Sequence, residues 1–229
     1  MKLACTIIWG DLDYWGPHAE RAAHSFQQMT GIESRVFEAQ PGDICPKLFL
    51  FEVLADGVKE VLYFDADCLA CQPFEITTSH YMGAVLDAQS MGVVNDCKRT
   101  GLPIAEYFNT GIMMLRRQNH TDMLKAAQWY ARLPSHFQDQ TSLNIARRAC
   151  GVPLRALPET YNSFGVRGLT ADTLIAHAAG GMDAVEWKEM MLDQYARRWN
   201  IADPRRLQAD NDPQPEDSRD DVVESAVSG

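Results

Sequence analysis

The sequence has no apolar run approaching the roughly 18 residues that a membrane-spanning helix requires. It has no basic excess either, with 21 Lys and Arg against 31 Asp and Glu and a formal charge of −10. General nucleic-acid binding draws on cationic side chains that displace phosphate counterions, so this balance argues against nucleic acid as a partner. The six cysteines, at 5, 45, 68, 71, 97 and 150, are too scattered for a disulfide scaffold, and Cys68-Leu-Ala-Cys71 has no second such pair to complete a zinc site. Also missing are a leader with a cleavage pattern, an internal repeat, and a glycine-rich phosphate loop in residues 3–31. Together these absences lead us to expect reduced thiols, a cytoplasmic location and no stable membrane insertion.

What is present is ordinary globular composition: 46% hydrophobic and 23% charged residues over 229 positions, enough for one well-buried core. The charge is uneven. Residues 203–229 hold eight acids and three arginines, half of the net charge, and no aromatic residue. Such a stretch cannot bury enough surface to offset its ordering entropy. We therefore expect a folded domain over residues 1–202 and a disordered acidic tail over 203–229.

Within the domain, short β-prone runs (3–9, 34–38, 60–64, 81–86, 107–115, 152–157 and 173–176) alternate with helical patterns (18–29, 47–55, 122–133, 138–149 and 186–199). The last helix repeats Trp187, Met191, Tyr195 and Trp199 every four residues, which reads as a core-facing stripe. Strand–helix alternation predicts an α/β fold: a single domain with a mostly parallel central sheet flanked by helices. Ligands of such sheets bind beyond the carboxyl ends of the strands. Those ends carry Trp9-Gly10-Asp11, Asp65-Ala66-Asp67 and Asp87. Residues 89–103 read as a loop.

The most informative of these ends follows Val61-Leu62-Tyr63-Phe64: an apolar strand that delivers Asp65 and Asp67 to the loop just past it. Paired hard oxygens there suit Mg²⁺ or Mn²⁺, which keep positions open for water and a diphosphate. Asp-x-Asp also occurs in ordinary turns. Without a cation, two neighbouring carboxylates are expected to repel each other.

Residues 47–74 resemble the Asp-x-Asp region of glycosyltransferases with the GT-A (Rossmann-like) fold, in particular glycosyltransferase family 8. Further pieces follow in the family's order: Asn109-Thr110-Gly111 within a strand, Asp139-Gln140 opening a helix, Leu157-Pro158-Glu159-Thr160-Tyr161-Asn162, and His177-Ala178-Ala179-Gly180. The resemblance spans about residues 3–190 and implies a metal-dependent transferase. It would move a sugar from a nucleotide-diphosphate donor, UDP taken first, to a hydroxyl acceptor with retention. Asp65, Asp67 and His177 would hold Mn²⁺ or Mg²⁺. Gln140 and Asp139 would act at the reacting sugar, with Gln140 limited to transition-state stabilisation because an amide is a very weak nucleophile. Lys47, Asp65, Ala66, Asn109, Asn162 and Gly180 would contact the donor. At the first strand's end, Thr6 and Asp11 are candidates for nucleotide contacts.

Each residue also has a plainer reading. His177 could be a satisfied core histidine, Lys47 a snorkelling surface lysine, Asp139 a helix cap and Asn162 a turn residue. The chain departs from the family where a lysine of a Lys-Pro-Trp normally meets the diphosphate. Here that residue is missing or displaced to Lys188. The alternative functions are a nucleotidyltransferase, which lacks its glycine-rich loop here, and a catalytically degenerate GT-A domain that binds a nucleotide or a protein. If the tail has no part in the core, removing residues 203–229 leaves the melting temperature and nucleotide binding nearly unchanged. A large fall in melting temperature on truncation would contradict the domain boundary.

Overall fold

The computed structural model describes residues 1–39, 45–87, 90–164, 169–179 and 185–201. A six-stranded sheet runs in the order β2-β1-β3-β6-β5-β7, built from β1 (Lys2–Ile8), β2 (Ser34–Glu38), β3 (Glu60–Phe64), β5 (Met82–Leu86), β6 (Phe108–Arg116) and β7 (Leu154–Leu157). β1 pairs parallel with β2 and β3, and β5 parallel with β7. β6 alone runs antiparallel to its two neighbours. The sheet is therefore mostly parallel, as the strand–helix alternation predicts.

Alternating side chains bury both faces, as a sheet covered on both sides requires. Cys5, Ile7, Val61, Tyr63, Met113 and Leu115 pack into one core. Over it lie a 3₁₀ turn (Pro46–Phe49), α2 (Leu50–Val53), α4 (Arg117–Tyr130) and α5 (Gln138–Ala149). Ala4, Leu62, Phe64, Ile112 and Met114 form the core of the opposite face with Phe26 of α1 (Leu12–Thr30), whose ring stacks on Phe64 with centroids 4.0 Å apart.

The structure revises several boundaries, each for a local reason. α1 starts at residue 12 rather than 18 because Asp11 caps it, accepting from the Tyr14 amide at 3.1 Å, and the helix runs on through Pro17. The helix expected over 47–55 is instead the 3₁₀ turn and the single turn of α2. Leu54 leaves in an extended conformation, and the Arg117 guanidinium donates to the carbonyls of Phe51, Leu54, Ala55 and Val58. These carbonyls thus have a partner other than a continuing helix.

Much of the expected loop is helical: α3 (Met91–Thr100) is capped by Ser90 and stopped at Gly101, which adopts the left-handed conformation with φ of 70°. Two further elements were not expected. β4 (Cys68–Ala70) pairs antiparallel with β9 (Ile175–His177), and β9 pairs parallel with β8 (Ser163–Phe164). This small sheet sets Cys68 opposite His177 and so brings residue 177 beside Asp67. α6 (Val185–Arg198) packs Leu192 and Tyr195 against it, with Met191 and Trp199 half-buried in the same cluster. That supports the core reading of the stripe at those three positions. The proposed tail, residues 203–229, lies outside the described residues. Among the described residues no helix is long and apolar enough to cross a membrane.

Candidate functional site

The site is built around a buried ammonium. Lys47, carried by the 3₁₀ turn, is 3% exposed. Its Nζ lies 2.9 Å from Asp65 Oδ1, 2.8 Å from Asp139 Oδ2 and 3.4 Å from Thr110 Oγ1. The Tyr63 ring lies beneath it at 5.3 Å, and the Tyr63 hydroxyl donates to Asp65 at 2.8 Å. Burial alone would lower the Lys47 pKa, but Asp139 and Asp65 outweigh it and raise it well above the ordinary lysine value. Burial likewise opposes ionisation of Asp139, and the adjacent ammonium overrides it, so that the carboxyl titrates below its usual range. The surface reading of Lys47 is thereby excluded. Asp139, in the first turn of α5, ion-pairs with it across the sheet edge.

Asp67 points the other way. Its Oδ1 is 3.1 Å from His177 Nε2 and its Oδ2 is 2.6 Å from Lys188 Nζ on α6. Burial would raise the Asp67 pKa, but His177 and Lys188 together hold it well below the carboxylate range. Asp65 and Asp67 thus diverge onto separate cations, and the repulsion expected of them does not arise. Asp67, Cys68 and His177 form a buried cluster whose ligand atoms lie within 4.8 Å of one another. The Cys68 thiol is held protonated by its burial, its pKa lying well above the ordinary value, so Asp67 and His177 are the better donors. Gly111 makes room for the imidazole: a Cβ there would lie 2.3 Å from His177 Cε1.

A row of amides leads away from this point. Gln140 Nε2 donates to Asp87 Oδ2 at 2.7 Å, Asn109 Nδ2 donates to Gln140 Oε1 at 2.9 Å, and Asn162 Nδ2 donates to Asn109 Oδ1 at 2.7 Å. α3, absent from the sequence reading, seats this row. Its fully buried Asp96 accepts from the amides of His136 and Phe137 and from the Thr141 hydroxyl, anchoring the start of α5. α5 has no capping side chain of its own, so Asp96 takes that part.

Two adjoining cavities open on this machinery. One, of about 280 Å³, is lined by Ile7, Ile8, Trp9, Trp15 and Ala66. The other, of about 540 Å³, is lined by Asp87, Asn109, Gln140, His136, Phe137 and Phe164 among others. Lys47, Asp65, Asp67, Asp139 and Lys188 line both. The structure therefore gathers Lys47, Asp65, Ala66, Asp67, Asn109, Asp139, Gln140 and His177 in one cleft.

Three candidates fall elsewhere. Thr6 is fully buried inside β1 and Asp11 caps α1; neither lines these two cavities, and Trp9 and Trp15 stand where nucleotide contacts were expected. Asn162 is behind the wall, 1% exposed. Gly180 lies outside the described residues. Sequence reasoning passed over Trp9, Trp15 and Asp87 as site residues, although Trp9 and Asp87 stand at the strand ends it had singled out. It also left Lys188 undecided.

The donor chemistry fits a divalent cation. Four carboxylates (Asp65, Asp67, Asp87, Asp139) and two lysines (Lys47, Lys188) line the cleft, leaving −2 before His177 is counted. The 3.1 Å between Asp67 Oδ1 and His177 Nε2 matches the edge of about 3 Å between neighbouring ligands bonded at about 2.1 Å to an octahedral ion.

No protein-family model and no curated protein matches the chain. Among solved structures it is similar to the galactosyltransferase LgtC in complex with donor and acceptor sugar analogues, at 15% identity and a TM-score of 0.61, covering 91% of this chain and 99% of that one. It is similar also to a glycosyltransferase involved in glycosylation of the major capsid of PBCV-1, at 10% identity and a TM-score of 0.60, covering 83% and 98%. A third similarity is to the bifunctional glycosyltransferase WbbM, at 11% identity and a TM-score of 0.57, covering 86% of this chain and 51% of that one. The chain has the GT-A fold that these glycosyltransferases share.

The ammonium makes a prediction about stability. Lys47→Met leaves the half-buried Asp139 and Asp65 without their cation, a loss of about 2–3 kcal/mol, less than the usual cost of breaking a fully buried pair. Asp139, held below its usual pKa by Lys47, stabilises the wild type above the ordinary carboxylate range, and this is lost as pH falls through its lowered value. Without Lys47 that carboxyl can take a proton instead. Urea unfolding should therefore show a smaller deficit against wild type at pH 4.5 than at pH 7.5. A deficit independent of pH would contradict the assigned pairing.

Proposed function

We propose that this chain is a metal-dependent glycosyltransferase that moves a sugar from a nucleotide-diphosphate donor, UDP-sugar first among them, to a hydroxyl acceptor. The observation that carries this reading is the placement of Asp67, with His177 beside it, where two cavities with different walls meet. The cavity walled by Trp9, Trp15, Ile7 and Ile8 suits a flat nucleobase. The cavity lined by Asp87, Asn109 and Gln140 offers donors and acceptors spaced for sugar hydroxyls. A diphosphate would lie between them.

Asp67 and His177 would hold Mn²⁺ or Mg²⁺, with Asp65 close by on Lys47, and the ion, once bound, would neutralise charge developing on the departing diphosphate. Lys188, over the Trp15 ring at 5.2 Å and 2.6 Å from Asp67, stands where a lysine would meet the same diphosphate. This position supports Lys188 as the displaced lysine of the sequence reading. Gln140 has both ends of its amide engaged, its oxygen accepting from Asn109 and the Thr110 amide and its nitrogen donating to Asp87. Held this firmly, it would present a fixed dipole to an oxocarbenium-like centre. Asp139 is fixed by Lys47 at the same wall. A cytoplasmic location, and a tail with no part in the core, complete the proposal.

Asp67→Asn tests it. The change removes a unit of charge beside the cation and keeps the side chain's shape. Metal assistance is worth several kcal/mol, and each ~1.4 kcal/mol is a factor of ten in rate, so transfer or donor hydrolysis should fall by roughly a hundredfold or more. The metal-free variant should also melt lower than wild type, because Asp67 loses its ion pair with Lys188. Full turnover in a folded Asp67→Asn protein would contradict the catalytic reading and leave a binding domain.

A further inference from the structure

Asn162 was expected at the donor, yet it lines neither of the two cavities that meet at Asp67 and is 1% exposed. All of its side-chain polar atoms are engaged inside the protein. We infer that Asn162 is a positioning residue that sets which nitrogen of His177 carries the proton, and so presents the Nε2 lone pair to a cation at Asp67. This rests on the metal-dependent reading above.

The assignment can be traced from main-chain amides, which can only donate. The Gly111 amide donates to Asn109 at 2.8 Å, so the Asn109 atom facing it is the oxygen. The other end of Asn109 faces the Gln140 atom that also receives the Thr110 amide at 3.3 Å. That Gln140 atom is therefore an oxygen, and the Asn109 atom facing it is the nitrogen. Asn109 is thus oriented from both ends.

Asn162 lies 2.7 Å from the same Asn109 oxygen and must present its nitrogen there. Its own oxygen then faces His177 Nδ1 at 2.7 Å. An amide oxygen accepts only, so the ring proton belongs on Nδ1. In the neutral ring Nε2 is left with a lone pair, 3.1 Å from a carboxylate oxygen. Between that lone pair and the carboxylate there is a place for a cation, a metal ion or a proton.

Gly111 contributes twice. Its amide begins the relay, and its missing side chain admits the ring, since a Cβ would lie 2.8 Å from His177 Nδ1. Without the Asn162 oxygen, the neutral ring can move its proton to Nε2 and donate directly to Asp67. The two ligands would then satisfy each other, and the cation would have to break that bond before entering. Outer partners of metal-bound histidines commonly change affinity by about 10–100-fold.

The experiment follows the ring and the metal separately. Nitrogen NMR of the metal-free protein, at a pH that keeps the imidazole neutral, reads the tautomer of His177. Calorimetry with Mn²⁺ alone reads affinity. Wild type should carry the proton on Nδ1. Asn162→Ala should shift it to Nε2 and bind Mn²⁺ about 10–100-fold more weakly. Asn162→Asp, which keeps an acceptor facing Nδ1, should retain the Nδ1 proton and recover most of the affinity.

An Nε2 proton in the wild type would overturn the inference even if no variant folds. So would a folded Asn162→Ala with wild-type tautomer or wild-type affinity. Failure of the wild type to bind Mn²⁺ while its ring is protonated at Nδ1 would overturn the metal-dependent reading and uphold the positioning of the ring.

Discussion

An ammonium that is 3% exposed and bounded by two carboxylates, a hydroxyl and an aromatic face can exist only if all of them are held in place. Removing a charge of this kind from water costs several kcal/mol, which the pairing must return. Lys47 therefore ties the 3₁₀ turn to the end of β3, the middle of β6 and the first turn of α5. Those are the elements that carry Asp65, Thr110 and Asp139. Gln140, next along α5, is thereby fixed against Asn109, and the amide row and the wall of the larger cavity follow from it.

The two acids of Asp-Ala-Asp do different work. Asp65 belongs to the Lys47 cluster, and Asp67 to the small sheet and α6 through His177 and Lys188. Pairing each acid with its own cation keeps the metal-free cleft from repelling itself. The remaining charge of −2 equals what a divalent cation supplies. The same division separates the walls, with indoles and aliphatic chains on one side and carboxylate and amides on the other. A ligand with a flat apolar end, an anionic middle and a hydroxylated end matches that order. This is the physical content of the nucleotide-sugar reading, and it does not depend on the likeness of folds.

Much of the architecture was legible in the sequence because it is written in short-range patterns. Residues 60–64 are a largely apolar run with Val, Tyr and Phe, residues 34–38 centre on Val36-Phe37, residues 138–149 carry a helical period, and all three have the bounds read from them. What escaped depends on partners far along the chain. The turn after Leu54 is shaped by Arg117, 63 positions away. β4 is three residues long and exists through its pairing with β9. α3 could have been found, since Ser90 and Gly101 mark both of its ends, but sparse apolar residues hid it. At the site, the residue types were readable and their division of labour was not. Asn162 was read as a sugar contact from the resemblance of residues 157–162, and only burial and the bonds to Asn109 and His177 reveal an orienting part. Thr6 and Asp11 were chosen for standing near a strand end, where the side chains that reach the cavity are instead those of Ile7, Ile8 and Trp9.

The central claim is that Asp67 and His177 form a cation site joining a nucleobase cavity to a sugar cavity. Calorimetry of UDP binding to the full chain, with Mn²⁺ and then with an excess of chelator, addresses it most directly. The account predicts saturable binding with Mn²⁺ that weakens by at least tenfold when the metal is removed. Equal affinity in both conditions would contradict the metal's part in the cleft, and no binding in either would contradict the nucleotide reading itself.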